Sequence, residues 1–128
     1  MNTKTIKIIY WISTSLISLM MIFSAYSYFT NPEVKQGFQH LGFSDYFRIE
    51  LGIAKLLGAI ILIAPIKGQI KEWAYAGFAI TFISAFIAHA ASGDPVSNQI
   101  GPIVFLLVLA LSYFTYRKSK TVVSVNQI

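Results

Sequence analysis

Four stretches of the chain lack the alternation of polar and apolar positions expected of a soluble protein. Ile8 to Phe29 and Val96 to Tyr116 carry no charged residue, and Trp73 to Ser92 holds one histidine, His89, with no acid and no other base. Asp45 to Ala64 is charged in its first half and unbroken in its apolar second half. Each stretch is close to the roughly 20 residues that a helix needs to cross about 30 Å of hydrocarbon. The pattern predicts an all-α integral membrane four-helix bundle in a single domain, with spans at about 8–29, 45–64, 73–92 and 100–116. The first run also fits a signal peptide. It exceeds the roughly 7–15 apolar residues usual there, so it is read as a retained span.

Between the first two spans, Asn31-Pro32-Glu33 reads as a helix start: a capping side chain, a proline at the first helical position and an acid at the positive end of the dipole. Val34, Phe38 and Leu41 recur at helical spacing and Gly42 follows as a stop, so 32–41 is predicted to be a short amphipathic helix lying at the membrane interface. Pro65 and Gly68 end the second span. Lys67 to Lys71 reads as a basic hairpin, Gly93-Asp94-Pro95 as a turn, and 119–128 as a loosely ordered tail after a stop at Arg117, Lys118 and Lys120.

Composition strengthens the membrane reading. Of 128 residues, 55% are hydrophobic and 12% charged, against about 25% charged in soluble domains. The net charge of +5 forms no patch suited to nucleic acid. Lys4, Lys7, Lys67, Lys71, Arg117, Lys118 and Lys120 gather at one end of the spans, whereas Lys35 and Arg48 lie at the other. The positive-inside rule then places both termini in the cytoplasm of an inner-membrane protein. Tyr10, Trp11, Trp73, Tyr75, Tyr113 and Tyr116 fall at the predicted inner boundary, and Tyr26, Tyr28 and Tyr46 at the outer one, as two interfacial belts. With no cysteine, disulfides, thiol relays and thiolate metal sites are excluded.

The second span carries the candidate chemistry. An ionisable side chain costs roughly 2.5–3.5 kcal/mol at the centre of a membrane helix, so Arg48, Glu50 and Lys55 are expected to find shelter and partners. Depth brings Tyr26 from the first span, His89 from the third and Asp94 from the last outer loop to the same level. These six residues are the candidates for holding a ligand or moving a proton. At about 100° per residue Glu50 stands about 140° from Lys55 and about 200° from Arg48, so a polar cavity is needed to receive them all. Arg48 is expected to snorkel, and Lys55 to pair with an acid, a carbonyl or a ligand. Glu50 and His89 are expected to form a buried clasp or proton site. His40 and His89 share no ligand spacing, so no metal is expected. There is no nucleophile turn and no phosphate-binding glycine loop. Gly77, Thr81, Ala85, Ala88 and Ser92 form a small-residue stripe predicted to pack closely on Ala54 and Gly58.

These residues resemble the DoxX-like family of small bacterial and archaeal four-span membrane proteins. The likeness is carried by Phe23-Ser24-Ala25, Phe38-x-x-Leu41-Gly42-Phe43, Glu50-x-x-x-x-Lys55-x-x-Gly58, the run Lys71 to Phe78 and His89-x-x-x-Gly93-Asp94. The family takes its name from a membrane subunit linked to thiosulfate oxidation with quinone as acceptor. The resemblance implies the fold, and names quinone as the cofactor class to consider, without carrying over any catalytic residue. Three functions are therefore weighed: a membrane subunit of a quinone-linked redox system with a redox partner, a non-enzymatic accessory of another membrane protein, and a small solute or proton path.

Overall fold

The computed structural model describes residues 2–64, 66 and 68–126, with side chains through Ser119. Pro65 and Lys67, assigned above to the end of the second span and the basic hairpin, lie outside the described residues. Among the described residues the protein is all-α, with five helices: α1 (Thr3–Thr30), α2 (Pro32–His40), α3 (Asp45–Ile63), α4 (Gln69–Ala91) and α5 (Ser97–Asn126).

Local chemistry sets the boundaries. The Asn2 side chain accepts from the Thr5 amide at 2.8 Å and starts α1. Asn31 ends α1 and begins α2, where its side chain accepts from the Glu33 amide at 2.9 Å and Pro32 follows. Ser44 stands at the cap position of α3 but makes no capping side-chain bond. Gly42 and Gly93 adopt φ of +87° and +74°, open to glycine at little cost. Each allows the next amide to reach back to a helix carbonyl, Phe43 to Phe38 at 2.9 Å and Asp94 to His89 at 3.0 Å, which closes α2 and α4 with satisfied backbone.

The last helix differs from the expectation at both ends. It begins at Ser97 rather than near Ile100, so Pro102 sits in its second turn, and it continues to Asn126 instead of giving way to a loose tail. Basic side chains do not break a helix, and no glycine or proline follows Tyr116 to stop it.

α1, α3, α4 and α5 are joined around a ring, α1 to α3 and α5, α4 to α3 and α5. Side-chain pairs fix every neighbour as antiparallel: Ser24 with Lys55, Thr14 with Ser112, Glu72 with Arg117 and Lys71 with the Ala64 carbonyl. The chain termini therefore share one end. Ile17, Met21, Ala59 and Leu62 are sealed from the surface at the centre, flanked by Phe78, Phe82 and Leu109.

The outside is as apolar as the inside. Phe23, Ile80 and Leu107, mid-helix, and Trp73, near the start of α4, are each about two-thirds exposed, an arrangement suited to lipid and not to water. Among the described residues three helices are long and apolar enough to cross a membrane: Thr3–Thr30, Gln69–Ala91 and the Ser97–Ser119 part of α5. The sequence predicts four; α3 is not among the three because it carries Asp45, Arg48, Glu50 and Lys55 along its length.

The small-residue stripe is corrected as well. Gly58 does meet α4, where an added Cβ would lie 2.8 Å from the Phe78 ring, but around Gly77 there is nothing within 4 Å. α3 and α4 touch least among the four packed pairs. Gly58→Ala should therefore lower stability by about 1–3 kcal/mol, because the buried Phe78 ring must shift. Gly77→Ala should cost nothing, and thermal unfolding of both variants in detergent checks the contrast.

Candidate functional site

The polar interior begins with α3 turned toward α1. Arg48 and Lys55, seven residues apart, share that face and are both buried, at 9% and 7% exposure. Gly52 lies between them, where a Cβ would come within 3.0 Å of the Phe29 ring. That missing side chain lets α1 approach closely enough to supply acceptors. The Lys55 ammonium donates to the Tyr28 hydroxyl at 2.6 Å and to Ser24 Oγ at 3.1 Å, and lies 4.1 Å from the Tyr28 ring centre. Arg48 Nη1 donates to the Tyr28 carbonyl. Arg48 Nε stands 4.0 Å from the Asp45 carboxylate and makes no hydrogen bond among the described residues. Tyr28 thus serves both cations, one through its backbone and one through its side chain.

Several expected members stand elsewhere. Glu50 is exposed and has no hydrogen bond or ion pair among the described residues; with Arg48 and Lys55 turned inward, a residue about 200° from one and 140° from the other must point away. Tyr26 is 65% exposed, since two helical steps of about 100° carry it to the side of α1 opposite Tyr28. Lys55 pairs with hydroxyls rather than with an acid. Arg48 is held within the protein and does not extend outward.

His89 does not meet Glu50. Its Nδ1 lies 2.6 Å from one Asp94 oxygen, and His40 Nε2 lies 2.7 Å from the other. Asp94 therefore ties α2 to the end of α4. Hydrogen bonds from His89 first, and then from His40, hold the Asp94 carboxyl below its ordinary 3.8. Sequence spacing gave no sign of this pairing, because it depends on α2 folding over the α4–α5 turn. Among the described residues no three His, Cys, Asp or Glu side chains are grouped to hold a metal ion.

The opposite end hides a third cation. The sequence puts Lys71 in a basic hairpin, yet it is 4% exposed. It donates to the Tyr10 hydroxyl at 3.0 Å and the Ala64 carbonyl at 3.1 Å. The rings of Tyr10 and Tyr116 lie within 6 Å of it. Tyr75 and Tyr113 pack beside them, and Tyr75 meets Ser112, which in turn meets Thr14, at 2.8 and 2.6 Å. Tyr10, Tyr75 and Tyr116 are thus buried, not interfacial anchors; Trp11 and Trp73 remain exposed.

Beside Lys55 a groove opens between α3 and α4. It encloses about 340 Å³ and is lined by Ala54, Lys55, Leu57, Gly77 and Trp73, among others. The open space at Gly77 is part of it. Its walls are apolar apart from Lys55, whose ammonium donates to α1, and Thr81, whose hydroxyl already donates to the Gly77 carbonyl at 2.8 Å. A molecule with an apolar tail and a hydrogen-bond-accepting head fits that chemistry.

A family model, described as the DoxX-like family, matches residues 12–112. No curated protein and no solved structure matches the chain.

Two outcomes test these contacts. Tyr28→Phe keeps the ring but removes an acceptor from a buried ammonium, and should lower stability by about 1–3 kcal/mol. Lys55→Met removes the charge itself and should be neutral or stabilising; detergent melting curves for the pair give the comparison. For Asp94 the sign is that of a depressed acid: its contribution is complete above the ordinary carboxylate value and is lost as pH falls through the lower folded one. The melting-temperature gap between wild type and Asp94→Asn should stay level from about pH 8 to 5 as far as Asp94 titration governs it, and close only below about pH 4.

Proposed function

The chain belongs to the DoxX-like family and is a membrane protein, and on that premise we propose that it binds a quinone-class molecule in the groove between α3 and α4. In this reading α3 is a fourth span, α2 lies at the outer interface, and both termini are in the cytoplasm of the inner membrane. What carries it is an apolar groove with open space at Gly77 and the buried Lys55 among its lining residues.

A quinone would supply reversible electron and proton carriage to a redox partner. The residues fit its two parts. Lys55 has donors for a head-group carbonyl and is oriented by Ser24 and Tyr28. Leu57, Ile61 and Ile70 give the tail an apolar track, and Trp73 offers a flat ring. Lys55 here takes the part that Glu50 and His89 were expected to play. A second reading, a non-enzymatic accessory of another membrane protein, is favoured by Glu50, whose exposed carboxylate on a membrane helix asks for a cation on a neighbour.

The test uses Trp73 as reporter in a Trp11→Phe background in nanodiscs. Added ubiquinone or menaquinone should quench its emission saturably. Gly77→Leu should abolish the saturable part, and Lys55→Met should weaken affinity about tenfold, the worth of one charge-assisted hydrogen bond. Quenching that rises linearly and is equal in all variants would overturn the quinone reading and leave the accessory one standing.

A further inference from the structure

On the other side of α4 a second groove runs between α4 and α5 at the end holding the termini. It encloses about 310 Å³. Its floor is made of Ala76, Ala79, Leu106, Leu109 and Ala110, a narrow apolar track left by small side chains. Its mouth is polar. Glu72 lines it and accepts from Arg117 Nη1 at 3.1 Å. The Tyr75 and Tyr113 rings meet edge to face at 5.1 Å beside it.

We propose that this groove is a binding site for a phospholipid with a zwitterionic phosphoethanolamine head. The ammonium group donates to Glu72 against the faces of the two tyrosines. The phosphate takes the positive side, where Arg117 stands one turn beyond Tyr113 on α5 and meets Glu72, and one acyl chain lies along the alanine track. Charge decides between lipid classes. The many cations at this end would by themselves recruit anionic lipid. Inside the mouth, however, Glu72 offsets Arg117, so a head carrying both signs is matched better than a purely anionic one. Burial sharpens the preference: Glu72 is 29% exposed and Arg117 57%, so the acid is the more enclosed partner and the ammonium the more deeply held group. The inference rests on the membrane reading but is independent of the quinone, since the two grooves lie on different faces of α4.

The experiment is native mass spectrometry of the detergent-solubilised full chain with equimolar phosphatidylethanolamine, phosphatidylglycerol and phosphatidylcholine of the same acyl chains. One phosphatidylethanolamine should be retained about tenfold over either competitor, the scale of one hydrogen bond to a charged group. Glu72→Gln should erase the preference over phosphatidylglycerol, and Ala76→Leu should lower retention of all three. Gly77→Leu, which fills the quinone groove, should leave retention unchanged. The comparison with phosphatidylcholine, whose ammonium has no N–H, needs no variant and holds even if Glu72→Gln does not fold. Equal retention of the three lipids, or a preference surviving intact in folded Glu72→Gln, would overturn the proposal.

Discussion

An ammonium group placed among apolar helices has to be met by acceptors from the protein, because lipid offers none. Lys55 obeys that constraint through α1, and much of the architecture follows from it. Gly52 brings α1 close, Ser24 and Tyr28 stand one turn apart on the approaching face, and Arg48 uses the same tyrosine. At the other end Lys71 is met in the same manner by Tyr10, Tyr116 and a carbonyl of the preceding segment. Among the described residues neither lysine meets a carboxylate; hydroxyls, a carbonyl and aromatic faces receive their donors instead.

The three helices long and apolar enough to cross a membrane were legible because such spans announce themselves by composition, over lengths great enough for local detail not to matter. Side-chain partners were less legible. Helical arithmetic on α3 already separated Glu50 from Arg48 and Lys55, and the structure resolves that separation by exposing Glu50. The same arithmetic distinguishes Tyr26 from Tyr28, and the i, i+4 relation of Ser24 and Tyr28 was a usable sign that these two act together. His40 with Asp94, and Lys71 with Tyr10, join residues far apart in the chain. No local pattern encodes such pairs, since they come into being only when the helices are docked. Lys71 was also misleading in kind: next to a turn, a lysine reads as a topology signal, whereas here its stem runs inward.

The two grooves share an origin. Small residues in membrane helices are usually read as sites of close approach. Around Gly77 and along the alanines of α4 and α5 they instead leave room, because the neighbouring contacts are already set elsewhere, by Gly58 against Phe78 on one side and by Tyr75 with Ser112 on the other. α4 is thereby held by a few close contacts with space on both flanks. The DoxX-like family match spans all of α4.

Ile17, Met21, Ala59 and Leu62, sealed between the Lys55 and Lys71 networks with the Ser18 hydroxyl among them, have an electrical meaning. Two like charges repel more strongly the less polar the medium between them. This layer is the spacer that holds the two ammonium groups apart, one to each end of the helices.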